Sequence, residues 1–177
     1  MEQTPRIVSP MSNEGRNAYV IEHITSALLV LLREKPMGEI SIRELCDGAG
    51  VGRTSFYRNF ETKEDILKGY IRQLFQGWMD QFGKTDHPPL SELIYTMFSH
   101  FEAYRDFYSL LSKRGLIDLL KDIILTLCGF YPEQEKTAAY ASAFAAYSLY
   151  GWIEVWFQRG MRESAEELAE LFRGQGM

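Results

Sequence analysis

The chain has 177 residues, 46% of them hydrophobic, enough for one large domain or two closely packed small ones held by a core without disulfide staples. Its formal net charge of -5 argues against a nucleic-acid-coating surface and makes the local placement of charge decisive. The two cysteines, Cys46 and Cys128, stand far apart with no metal-ligand spacing, which fits reduced cytoplasmic thiols better than a redox sensor.

Residues 1–15 mix Pro5, Ser9, Pro10, Ser12 and Asn13 with single charges and lack the apolar run of a signal peptide, so they read as a disordered tail. Ala18, Ile21, Ile24, Thr25, Leu28, Leu31 and Leu32 recur at helical spacing and predict a first helix over 18–34, stopped by Pro36 and Gly38. Ser41-Ile42-Arg43-Glu44 has the form of a capping box, in which hydroxyl and carboxylate each satisfy an orphan backbone N–H. It opens a short second helix ending near Ala49. Gly50-Val51-Gly52 breaks the pattern, and 53–60 predicts a third helix of barely two turns. Thr62 and Asp65 cap a fourth, whose apolar face runs from Ile66 and Leu67 through Phe75 and Trp78 to Phe82 and which Gly83 and Pro88-Pro89 end.

Further helical patterns run over 90–104, 106–113, 116–128, 133–159 and 163–172, punctuated by Gly115, Gly129 with Pro132, and Gly160. No stretch alternates long enough for a strand and no repeat recurs at solenoid spacing, so the fold class is all-α. The uncharged run 137–153 is shorter than the roughly 20 apolar residues a bilayer requires and contains Ser142, Ser148 and Gly151. It reads as a buried helix of a protein with no membrane partner.

Two short helices around a three-residue turn suit a helix-turn-helix, whose second helix enters the major groove while the first bridges the backbone. Cys46, Ala49 and Gly50 are small where the helices must touch, and Ile42, Leu45, Val51, Phe56 and Phe60 are spaced to bury a shared mini-core. The remaining side carries Arg53, Thr54, Ser55, Tyr57, Arg58 and Asn59. Between Asp47 and Glu61 the two arginines are the only charged residues, so this helix is locally cationic within an acidic chain.

Ser41 to Leu67, reading SIRELCDGAGVGRTSFYRNFETKEDIL, resembles the DNA-binding signature of the TetR family of prokaryotic regulators. The likeness joins the capped second helix, the Ala-Gly-Val turn, the Phe-Tyr-x-x-Phe of the third helix and the Lys-Glu opening of the fourth. Tyr104-Arg105-Asp106-Phe107-Tyr108 and the segments around Trp152, Trp156 and Leu168 are similar to a C-terminal variant of the family. The resemblance implies a three-helix DNA-binding bundle over 16–62 and a larger helical effector-binding and dimerisation domain over 63–177. Carried over position by position, it implies that Arg43, Arg53, Thr54 and Asn59 face base edges and that Ser41, Ser55, Tyr57 and Lys63 hold phosphates, with Arg58 on the same surface. Arginine can clamp guanine, Asn can clamp adenine, and a hydroxyl or ammonium can meet a phosphate oxygen. Two positions depart from the pattern: Gly52 stands where a Ser or Thr is common, and Asn59 where His or Tyr is frequent.

The resemblance further implies a one-component regulator that binds a palindromic operator as a homodimer and is released or modulated by a small-molecule effector. The rival reading is a helix-turn-helix protein acting mainly through protein partners. For the effector pocket the aromatic residues Trp78, Phe98, Phe101, Tyr104, Tyr108, Phe144 and Tyr147 are the candidates, since aromatic walls with polar tips suit small ligands. For the dimer interface the last two helices supply Ala141, Ala145, Ser148, Trp152, Leu168, Leu171 and Phe172, because an all-round apolar helix must be covered on every side. His23, His87 and His100 are isolated in sequence and imply no metal site. Glu163, Glu166, Glu167 and Glu170 read as a solvated helix face, and with no paired acid and base or phosphate loop the chain is expected to be neither an enzyme nor a cofactor carrier.

Overall fold

The computed structural model of the chain describes residues 13–82 and 89–174. Of the expected tail only residues 13–15 lie in that range; Gly83, His87 and Pro88 fall outside it. Every regular element among the described residues is helical. The chain divides into two units, Met1–Gly69 and Tyr70–Met177, with the division inside the fourth helix.

In the first unit, α1 (Asn13–Glu34) leads through a 3₁₀ turn (Met37–Glu39) to α2 (Ile42–Ala49), α3 (Arg53–Asn59) and the first turns of α4 (Lys63–Phe82). The apolar spacing of α1 buries Ile24, Leu28 and Leu32 completely. Its start lies upstream of the expected one, over residues that carry no apolar side chain at helical spacing for hydrophobic periodicity to register. α1 packs on both α2 and α3. Ser41 caps α2 through its Oγ, which accepts the Glu44 N–H at 3.1 Å. Gly50 ends that helix at φ 65°, a left-handed conformation that a side chain would disfavour, and its amide donates to the Asp47 carbonyl. Thr62 and Asp65 cap α4 reciprocally: the Thr62 N–H donates to the Asp65 carboxylate at 2.8 Å, and the Asp65 N–H to the Thr62 hydroxyl at 3.2 Å.

The second unit contains the rest of α4 with α5 (Leu90–Ala103), α6 (Arg105–Lys113), α7 (Leu119–Leu127), α8 (Lys136–Gln158) and α9 (Ala165–Gly174). α5 packs on α9 and α6, and α7 on α8. Three starts lie downstream of the periodic pattern for local reasons. Gly115 at φ 67° turns the chain out of α6, so Leu116 to Asp118 precede α7. Glu135 caps α8 by accepting the N–H groups of Thr137 and Ala138. Ser164 and Glu167 form a reciprocal cap on α9. Glu163 therefore lies before α9, not on its solvated face: it is half-buried and ion-paired with Arg159.

The core of this unit is an aromatic cluster. Phe101 is completely enclosed, with the rings of Phe75, Phe98, Tyr108, Trp156 and Phe157 within 6.3 Å of its own. Edge-to-face pairs of this kind add about 0.5–1.5 kcal/mol each beyond the area they bury. The polar tips inside the cluster are matched: His100 Nε2 lies 2.9 Å from the Tyr108 hydroxyl, and Trp156 Nε1 donates to the Glu163 carbonyl at 2.8 Å.

Burial pushes the His100 imidazole from its ordinary 6.5 down to about 4. Protonation thus favours the unfolded chain, so this contribution to stability is complete above about pH 6.5 and is lost as the pH falls toward 4. His100→Gln keeps a partner for Tyr108 without titrating. It is expected to flatten the fall in melting temperature between pH 6.5 and about 4.5, above the carboxylate range; a wild-type melting temperature constant across that window contradicts a buried neutral imidazole.

Candidate nucleic-acid interface

The local structure of α3 follows from one anchor. Seven residues are too few to form a stable helix alone, so α3 depends on Phe56, which is completely buried and meets the rings of Tyr57 and Phe60 at 5.2 and 5.9 Å. With Phe56 inward, Arg53, Thr54, Tyr57 and Arg58 are exposed, while Ser55 and Asn59 are half-buried along one flank. Tyr57 is 60% exposed, far more than core packing would leave an aromatic ring. Leu45, Cys46 and Ala49 are buried beneath the turn, whereas Ile42, Val51 and Phe60 close its edges half-buried.

The expected contact residues fall into two groups. Ser41, Arg43, Arg53, Thr54, Tyr57 and Arg58 are exposed on α2 and α3. Arg43 meets Asp47 at 3.7 Å with both side chains largely in solvent, a pair weak enough for a phosphate or base to displace. Asn59 and Lys63 are engaged within the protein. The Asn59 amide donates to the Ser55 carbonyl at 2.8 Å. Lys63 Nζ donates to the carbonyls of Met37 at 2.6 Å and Ile40 at 2.5 Å, which leaves one of its three ammonium donors for an anion. Lys63 is thus first a clamp between the start of α4 and the 3₁₀ turn.

A second clamp has no counterpart in the sequence reading. Lys35 Nζ lies 2.7 Å from both carboxylate oxygens of Glu44, tying the end of α1 to α2. The Lys35 ammonium, with help from the Ser41 backbone, holds the Glu44 carboxyl below the usual glutamate range. The capping-box spacing signalled Glu44 as a partner for Ser41; nothing in the spacing pointed to Lys35.

The second unit distributes the expected pocket residues over three places. Phe98, Phe101 and Tyr108 are completely enclosed in the aromatic core. Trp78 and Tyr104 lie on the wall of a cavity of about 420 Å³, together with Leu74, Tyr95, Thr96 and His100. Phe144 and Tyr147 lie on the outer face of α8, which with Tyr140 and Val155 leaves four large side chains more than half exposed. Ala141, Ala145 and Ser148 share that exposed side. Trp152, Leu168 and Leu171 line a groove of about 510 Å³ between α8 and α9, but Leu168 and Phe172 point into their own unit, and Phe172 meets Trp152 at 5.7 Å. Among the described residues no helix is long and apolar enough to cross a membrane, and no cluster of His, Cys, Asp or Glu could hold a metal ion.

Residues 24–70 match the family described as bacterial regulatory proteins, tetR family, and residues 89–174 match a transcriptional regulator C-terminal region. The chain is also similar to an uncharacterized HTH-type transcriptional regulator, YxbF, of Bacillus subtilis (strain 168), with 27% identity over 99 residues. That stretch covers 52% of this chain and 26% of the relative, so the chain spans about a quarter of the relative's length.

Replacing Lys63 with Met removes the ammonium and keeps most of the apolar stem. The Ile40 carbonyl then loses its ammonium partner while the Met37 carbonyl keeps the Ile40 N–H, and the change is expected to lower the stability of the chain by about 1–3 kcal/mol in urea unfolding. An unchanged midpoint would show that the clamp contributes nothing to folding and that Lys63 is available to an anion alone.

Proposed function

Since the chain belongs to the TetR family of transcriptional regulators, with a helix-turn-helix DNA-binding domain, we propose that it binds a palindromic operator as a homodimer, with α3 as the reading helix. The observation that carries this reading is the outward strip Arg53, Thr54, Tyr57 and Arg58, free of carboxylates in a chain of net charge -5. A cationic, hydroxyl-bearing strip on a rigid helix is what phosphate positioning and base-edge contact require. Arg53 and Thr54 read bases from the first turn, Arg43 reaches an edge base from α2, and Ser41, Ser55, Tyr57 and the third donor of Lys63 hold phosphates. Asn59 reads a base only by leaving the Ser55 carbonyl. DNA binding of this kind places the protein in the cytoplasm with the chromosome.

One two-turn helix buries too little surface for specific binding, which is why two half-sites about 34–36 Å apart, or a multiple of that, are read together. The exposed face of α8 supports self-association: Tyr140, Phe144, Tyr147 and Val155 form an apolar stripe with Ala141, Ala145 and Ser148 permitting close approach. Leu171 extends the stripe from α9.

The cavity lined by Trp78, Tyr104 and His100 supports a small-molecule effector. α4 contributes Lys63 to the first unit and Leu74, Gly77 and Trp78 to this wall, so one helix carries residues of both. An effector with unequal affinity for the DNA-competent and DNA-incompetent states would change operator affinity by about 5–150-fold through a coupling of about 1–3 kcal/mol.

Arg53→Ala is expected to cost about 1–3 kcal/mol of operator affinity and to relax specificity at one base position, as read by selection from random DNA at stated salt. DNA affinity indifferent to that change would instead favour a protein-partner role. Phe144→Asp is expected to shift the sedimenting species from dimer to monomer and to abolish preference for palindromes; a dimer that persists places the interface elsewhere.

A further inference from the structure

We propose that the groove between α8 and α9 is the socket for Phe144 of a second copy, so that two α8 helices pair antiparallel with their closest approach at Ser148 and Gly151. This rests on the homodimer reading above and adds a polarity and a register to it.

The outer face of α8 changes character along its length. Toward its start it carries knobs: Tyr140 and Phe144, 72% and 73% exposed, are the most exposed large apolar side chains among the described residues. Toward its end, from Tyr147 to Arg159, the helix forms one wall of the groove of about 510 Å³, with Leu168 and Leu171 of α9 on the other. Positions 144, 148, 151 and 155 recur at three- and four-residue spacing, so knob and groove share one face of the helix. The ion pair of Arg159 with Glu163 also lines the groove and gives an otherwise apolar patch a polar rim, as interfaces between chains have.

Gly151 points to what fills it. Glycine weakens a helix interior, yet this one stands well inside the 23 residues of α8. A Cβ at Gly151 would meet nothing within 4 Å, so packing within the chain does not call for a glycine. The space above it is open to another chain, and with Ser148 one turn away it lets a second helix approach closely.

Polarity follows from the offset between knob and groove. In a parallel two-fold pair every residue lies level with its own copy, so Phe144 would meet Phe144 and groove would face groove, both unfilled. In an antiparallel pair centred between Ser148 and Gly151, Phe144 lies level with roughly Val155 of the partner subunit, within the groove. Two-fold symmetry repeats the contact, so both knobs are buried and both grooves filled.

The test is disulfide trapping in the full-length chain carrying Cys128→Ser. Co-expressed Phe144→Cys and Val155→Cys chains are expected to cross-link to each other on oxidation. Phe144→Cys alone is expected not to, because its two copies lie about 16 Å apart along the helices, beyond the reach of a disulfide. Gly151→Leu, for which its own chain has room, is expected to keep the helical far-UV spectrum and to raise the dimer dissociation constant at least tenfold in sedimentation. Self-cross-linking of Phe144→Cys, a dimer whose mixed pair fails to cross-link, or wild-type dimer affinity in Gly151→Leu overturns the socket and spares the homodimer. A wild type that sediments as a monomer overturns both.

Discussion

The enclosure of Phe56 is the constraint on which the DNA-facing surface depends. A helix of seven residues gains too few backbone hydrogen bonds to offset its own nucleation, so its orientation is set by the one ring it buries. Once Phe56 is inward, helical geometry leaves no choice about where Arg53, Thr54, Tyr57 and Arg58 point. The left-handed Gly50 and the small Cys46 and Ala49 let the two helices close on that ring. The exposed surface of α3 is therefore a by-product of core packing beneath it.

Clamps made by lysines stiffen the same unit. Lys35 holds Glu44, and Lys63 holds two carbonyls around the 3₁₀ turn, so α1, α2 and the start of α4 are joined by charge-assisted bonds as well as by apolar contact. Such bonds are directional where hydrophobic burial is not. They fix the positions of Ser41 and α2 relative to the end of α1 and the start of α4.

The second unit divides its aromatic residues between two uses. Phe75, Phe98, Phe101, Tyr108, Trp156 and Phe157 are consumed by the core, where mutual edge-to-face contacts and the His100–Tyr108 bond hold them together. Those left at the margin, Trp78, Tyr95 and Tyr104, define a cavity wall, and those on the outer face of α8 define an apolar stripe. A sequence rich in aromatics permits all three roles, and packing assigns them.

The amino-acid sequence by itself determined the all-α class, the family, the caps at Ser41 and Thr62, the break at Gly50 and the cationic character of α3. These are legible because they depend on residues within about four positions of one another, the range over which helical periodicity and capping act. Tertiary structure alone decided the partners of long side chains: Lys35 with Glu44 nine residues on, Lys63 with carbonyls 23 and 26 residues back, Arg105 with the Met161 carbonyl 56 residues on. It also decided which aromatic rings are enclosed, and moved Glu163 from a helix face to an ion pair at a helix junction. The reason is physical: an ammonium or a ring takes whichever acceptor or apolar surface the folded backbone leaves unsatisfied within reach, and no spacing rule encodes that choice.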